Sequence, residues 1–185
     1  MNEMFGKICA TVIIEGEEYL LCEEKSHERW CNSKRGNYGK GIGRTNNDEH
    51  KPARIGLLGE LAFSKLYGGK VDFSYKKFGD KQDFIINGQK IDVKCAMKNY
   101  GSMLIYYQNE WGKKIPVEKD IYVAGFVEEE DREKNFAKIT MVGYATKEDV
   151  VNAETKKGKG EHLNKVLKYE KLRQLPSLKK NSTSA

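Results

Sequence analysis

Apolar residues recur along this chain at two spacings, one helical and one alternating, and together they divide it into elements. Ile55, Leu58, Ala62 and Leu66 form one stripe at helical spacing, widened by Leu57, Leu61 and Phe63. Pro52 suits a first turn, Asn47 or Asp48 a cap, and Gly68-Gly69 a stop, so the pattern predicts a helix over 52–67. Short apolar runs at 8–14 and 19–22, joined through Glu15-Gly16-Glu17-Glu18, predict an N-terminal hairpin. Further strands are predicted at 71–75, 103–108, 120–127 and 138–144, with an acidic turn over 128–133 and a capped short helix starting at Thr146. Asn87-Gly88 between two apolar runs is the strongest short-range hairpin signal in the chain.

That hairpin carries the first chemistry. A two-residue turn pairs Ile86 with Gln89 and, counting outward, Asp83 with Asp92. Directly paired residues share a face with Cβ atoms about 4.5–5.5 Å apart. Lys94 lies two residues beyond Asp92 and falls on that same face. Two carboxylates at about 5 Å repel by roughly 3 kcal/mol at an effective dielectric near 20. A divalent cation between them reverses the sign. Oxygen-only ligands suit magnesium or manganese, and an adjacent lysine orients a water or stabilises charge developing on a phosphate. The bland alternative is a solvated hairpin face.

Glu60 supplies a third carboxylate. Leu57 and Phe63 lie three residues to either side, so it borders the buried stripe and needs a partner. Arg54 and Lys65 are the local candidates. The functional alternative is that Glu60 faces Asp83 and Asp92 and completes a metal site.

A helix glutamate, then an aspartate, then Asp-x-Lys, carried on helix, strand and strand, resembles the PD-(D/E)XK nuclease superfamily. The match consists of Glu60 in Gly59-Glu60-Leu61-Ala62-Phe63, Asp83, and Asp92-Val93-Lys94, with Gln82 in place of the family's proline. It spans roughly 53–150. The resemblance implies an α/β fold, with a mixed central sheet flanked by helices, and here an N-terminal β-hairpin besides. It also implies Mg2+-dependent DNA hydrolysis, for which Mn2+ can substitute, and endonuclease action. Asp83 and Asp92 would be metal ligands, Glu60 a further ligand, and Lys94 would stand near the attacking water. Gln108 matches a glutamine that some members carry on the strand after the lysine; a surface strand residue is the alternative. An inactive nucleic-acid-binding protein of the same fold and a ribonuclease are the competing functions.

Charge agrees with a polyanionic partner: the net charge is +6 and the chain is 32% charged. At 185 residues it fits one structural domain. Within it, 1–50 holds the hairpin and a basic glycine-rich loop, 51–155 the nuclease core, and 156–185 a basic tail. Lys34, Arg35, Tyr38, Lys40 and Arg44 of the loop are candidate nucleic-acid contacts, with Tyr38 able to stack on a base. No apolar run approaches a membrane span and no leader pattern opens the chain, which points to the cytoplasm. A homodimer is compatible with the sequence. Cys9, Cys22, Cys31 and Cys95 read as free thiols. Cys22, His27, Cys31 and His50 lack the tight Cys-x2-Cys spacing of common zinc sites. His162 reads as a surface residue on a lysine-rich helix, which Leu163, Val166 and Leu167 would anchor.

Overall fold

The computed structural model describes residues 9–35, 50–74, 82–109, 111–158 and 162–175, with 33–35 through their backbone only. Strand β1 (Ala10–Glu15) ends at Gly16, whose φ of 58° turns the chain directly into helix α1 (Glu17–Arg35). The expected returning strand at 19–22 is therefore helical. Tyr19, Cys22 and Ser26 are buried at helical spacing, whereas Leu20 is 49% exposed. The amide of Leu20 donates to Gly16 O, and Glu17 and Glu18 lie at the positive end of the helix dipole. Lys34 and Arg35 belong to the end of this helix; Tyr38, Lys40 and Arg44 lie outside the described residues.

Helix α2 (Lys51–Tyr67) follows the predicted stripe, with Pro52 in its first turn and His50 at the N-cap position. Residues 68–74 form no strand. Strands β2 (Phe84–Ile86) and β3 (Gln89–Ala96) make the predicted hairpin. Asn87 and Gly88 have φ of 51° and 78°, the two positive values a type I′ turn requires. Next come β4 (Ser102–Gln108), β5 (Ile121–Asp131), β6 (Phe136–Thr146), α3 (Lys147–Val151), β7 (Glu154–Lys157) and β8 (Leu163–Lys168). Glu128 and Glu130 are thus strand residues, and the turn follows them at 132–135. Thr146 caps α3 in a capping box with Asp149, as expected.

The fold is mixed α/β. One five-stranded sheet has the order β1-β6-β5-β3-β2, parallel only between β3 and β5. A second sheet of order β4-β8-β7 is antiparallel. Each face of the large sheet has its own core. On one, α1 and α2 pack Tyr19, Leu57, Leu58 and Phe63 against Ile14, Val93, Val123 and Ile139. On the other, Met103, Ile105 and Leu167 of the small sheet and Val150 of α3 cover Tyr122, Ala124 and Val142. β7 and β8 occupy the stretch expected as a basic helix. Lys165 is disguised as a surface residue by its charge, but it is buried and donates to Val151 O at 2.9 Å and Ala153 O at 3.0 Å.

Helix α2 lies close to β3 because Gly59 has no side chain. A Cβ added there would sit 2.4 Å from Cys95 Cβ, so the helix or the strand would have to shift. Gly59→Ala gains about 1 kcal/mol of helix propensity but incurs an overpacking cost of about 1–3 kcal/mol. A lowered urea midpoint is the expected result.

Candidate functional site

Residues Ile91, Val93 and Cys95 of β3 point toward α2. The period of two therefore places Asp92 and Lys94 on the opposite face, beside Tyr122 and Ala124, their partners on β5. Asp92 is only 9% exposed, while the Lys94 side chain is 43% exposed. Lys94 Nζ lies 2.6 Å from Asp92 Oδ2. That ion pair is the polar contact described for Asp92 Oδ2, which is otherwise buried without a hydrogen-bond partner. Burial raises the pKa of Tyr122, and the Asp92 charge raises it further against the Lys119 amide that donates to its hydroxyl.

Asp83 is placed differently from the expected Asp83–Asp92 pair. The ladder ends at Phe84–Ile91, and the Asp83 amide turns back to Ile91 O at 3.0 Å. On β3 the amides of alternate residues face β2, so Val93 has no strand residue opposite its N–H. The Asp83 carboxylate takes it instead, with Oδ2 accepting at 2.6 Å. Asp83 thus extends the sheet edge with its side chain where its backbone has departed.

Glu60 is on the α2 side of the sheet, away from the Asp92 side chain. Its carboxylate lies 3.9 Å from Arg29 of α1. It also faces the thiol of Cys22, whose pKa burial pushes up to about 12 with the Glu60 charge assisting. Gln108 closes β4 in the small sheet. Its amide nitrogen would meet a Cβ on Gly112 at 3.7 Å, so it lies over its own turn. Among the described residues, no group of three His, Cys, Asp or Glu side chains is gathered as a metal site. Cys22 is buried in the core, while Cys31 Sγ lies 3.8 Å from the His27 ring and His50 Nε2 is held by Glu23 at 3.0 Å.

A polar cluster that the sequence did not disclose lies under the helices. Arg54 of α2 is fully buried. Its Nε donates to Glu130 Oε1 at 2.8 Å and its Nη1 lies 3.1 Å from Glu23 Oε2. Glu130 Oε1 also accepts from the Tyr19 hydroxyl at 3.0 Å, and Glu23 contacts Arg132. Burial opposes ionisation of Glu23, but His50, Arg54 and Arg132 together hold its pKa below the ordinary value. The Arg54 and Arg132 guanidinium groups and the hydrogen bond with His50 explain the direction. The only sequence signal was an arginine inside the apolar stripe of α2.

A cleft of about 270 Å³ opens beside the hairpin turn, between Phe63, Tyr67, Ile86, Ile91 and Val123. It is largely apolar and lies on the α2 side, so it is separate from Asp92 and Lys94. Comparison with protein-family models, with curated proteins and with solved structures finds no match to this chain. No helix among the described residues is long and apolar enough to cross a membrane.

Proposed function

We propose that this chain is a metal-dependent nuclease of the PD-(D/E)XK type, cutting DNA internally in the cytoplasm. One observation carries the reading: a buried carboxylate oxygen of Asp92 with no hydrogen-bond partner, beside the half-exposed ammonium of Lys94. Lys94 Nζ already stands 2.6 Å from that oxygen, and a divalent cation would compensate its buried charge more fully. Mg2+ is held through one or two carboxylates together with water and substrate phosphate, so a three-acid cage is not required. Asp92, with Asp83 at the adjoining sheet edge, would hold Mg2+ or Mn2+. Such an ion supplies a Lewis acid and lowers the pKa of bound water.

Lys94 does the remaining work in this reading. Its stem leaves the sheet beside Asp92, and its ammonium reaches solvent where a phosphate would arrive. There it stabilises the charge that grows on the phosphoryl oxygens. The Asp92 charge keeps Lys94 positioned, and Tyr122 closes the site against the sheet. Glu60, on the other face beside Arg29, stands apart from the Asp92 and Lys94 pair. A sheet with its two long helices on one side and the order helix, Asp, Asp-x-Lys supports a restriction-endonuclease-like core; the placement of Glu60 departs from that pattern. The separation of Glu60 from Asp92 favours a second reading, a nucleic-acid-binding protein without activity.

Closed circular plasmid separates the two. Incubation with Mg2+ should nick and linearise it, EDTA should prevent this, and Lys94→Ala should slow cleavage on the order of 10²-fold while DNA affinity is retained. Binding without cleavage by the wild-type protein would establish the second reading. Wild-type rates in Lys94→Ala would remove the lysine from the mechanism.

A further inference from the structure

We infer that the outer face of the small sheet, β4-β8-β7, is a platform for single-stranded nucleic acid. The residues of β4 alternate: Met103 and Ile105 enter the second core, while Leu104 and Tyr106 are 54% and 43% exposed on the other side. The register carries that face across the sheet, Leu104 opposite Val166, and Tyr106 opposite Asn164, which is itself buried and faces Lys156. The ring of His162 lies 5.3 Å from that of Tyr106.

At both ends of β4 the chain carries an exposed aromatic residue with lysine close by in sequence. At one end Lys98 sits 5.4 Å over the exposed Tyr100 ring. This loop is tied to the sheet by the Tyr169 amide donating to Gly101 O, beside the Ser102–Lys168 pair. At the other end, the turn after β4 presents Trp111, 81% exposed, followed by exposed Lys113 and Lys114. Asn109 Oδ1 accepts from the amides of Trp111 and Lys113.

Three features select the occupant. Lysine is depleted at the centres of protein-binding surfaces, whereas here Lys156 and Lys168 stand on the sheet face that carries Leu104 and Tyr106. Rings stack on unpaired bases of any identity, while a duplex keeps its bases inside. The acids on the strip, Glu154 and Glu170, are in exposed pairs with Lys156 at 3.3 Å and Lys168 at 3.9 Å, which a phosphate can replace. β4 spans roughly 20 Å, a path for a few nucleotides. The choice of a polyanion rests in part on the nuclease reading; the aromatic strip does not.

The chain has two tryptophans, Trp30 and Trp111, so Trp30→Phe makes Trp111 the sole reporter. This protein should be titrated with a 20-nucleotide oligothymidylate in EDTA, where no cleavage can occur. Trp111 fluorescence should be quenched, and anisotropy of a labelled oligonucleotide should rise in parallel. Tyr106→Ala, and Trp111→Ala in the wild-type background, should each weaken binding about fivefold or more. The double change Lys156→Gln and Lys168→Gln should lower the log–log salt slope by about 0.7 per lysine. Thermal midpoints measured alongside identify any variant that has lost its fold, and the salt-slope test then decides alone. Absence of quenching, affinity unchanged in both aromatic variants, or equal affinity for duplex of the same length overturns the platform even if plasmid is cut. Quenching without plasmid cleavage supports the platform and removes the nuclease reading.

Discussion

Arg54→Leu should cost about 3–5 kcal/mol of folding free energy, the largest stability loss of any single side-chain change considered for this chain. The guanidinium is completely shielded from water and lies between Glu130 and Glu23. Removing it leaves two carboxylates in a mostly buried pocket with no fixed cation between them. His50 and Arg132 still reach Glu23, but the described contacts give Glu130 only the Tyr19 hydroxyl besides Arg54. Urea unfolding followed by circular dichroism measures the loss. Adding Glu130→Gln to Arg54→Leu should recover part of it, because the unpaired charge rather than the missing contact dominates the cost. As a comparison, Lys65→Ala breaks only the exposed pair with Glu18 and should change stability by about 1 kcal/mol or less. Equal losses in Arg54→Leu and Lys65→Ala would show that the buried network carries no special weight.

Asp92→Asn should reduce plasmid cleavage by on the order of 10²–10³-fold or more, the largest expected change in activity. The amide keeps the shape of the carboxylate but not the charge that would hold a cation. Stability in EDTA should stay level or rise slightly. The substitution removes a buried charge whose oxygen has no hydrogen bond, and the partner it loses, Lys94, is solvated. A clear fall in the EDTA midpoint would mean that the carboxylate is structural. Asp83→Asn separates the two roles, since its carboxamide oxygen can still accept the Val93 amide. Its fold should persist while its cleavage falls with that of Asp92→Asn.

The legible parts of the fold were those set by local rules. The Asn87-Gly88 turn fixed Ile86 opposite Gln89, and the helical stripe fixed α2. The alternation rule placed Lys94 beside Asp92, as found. Counting failed one step further out, because β2 begins at Phe84 and the chain bends at Asp83. Local pattern also misled at α1, where the adjacent Tyr19, Leu20, Leu21 and Cys22 resemble a strand until the spacing of Tyr19, Cys22 and Ser26 is followed onward. The positions of Glu60 and Tyr122 depend on a parallel pairing and a helix–helix contact between distant residues. No short window of sequence encodes either. The strand character of 163–168 was hidden by lysines, one of which feeds backbone carbonyls from inside the sheet.

The two cores also set an order of assembly. β6 lies between β1 and β5, so the helix-covered core needs residues from Ala10 to Thr146. The opposite core needs β4 to wait for β8, whose pairing joins Ser102 to Lys168. A chain made from its N-terminus can therefore close the face that α1 and α2 cover while the Asp92 and Lys94 face is still without its roof. Contacts this distant in sequence are slow to form. During synthesis, the side of the sheet with the candidate chemistry is the last to be enclosed, and Met103, Ile105 and Tyr122 remain open to solvent or a chaperone until β8 has emerged.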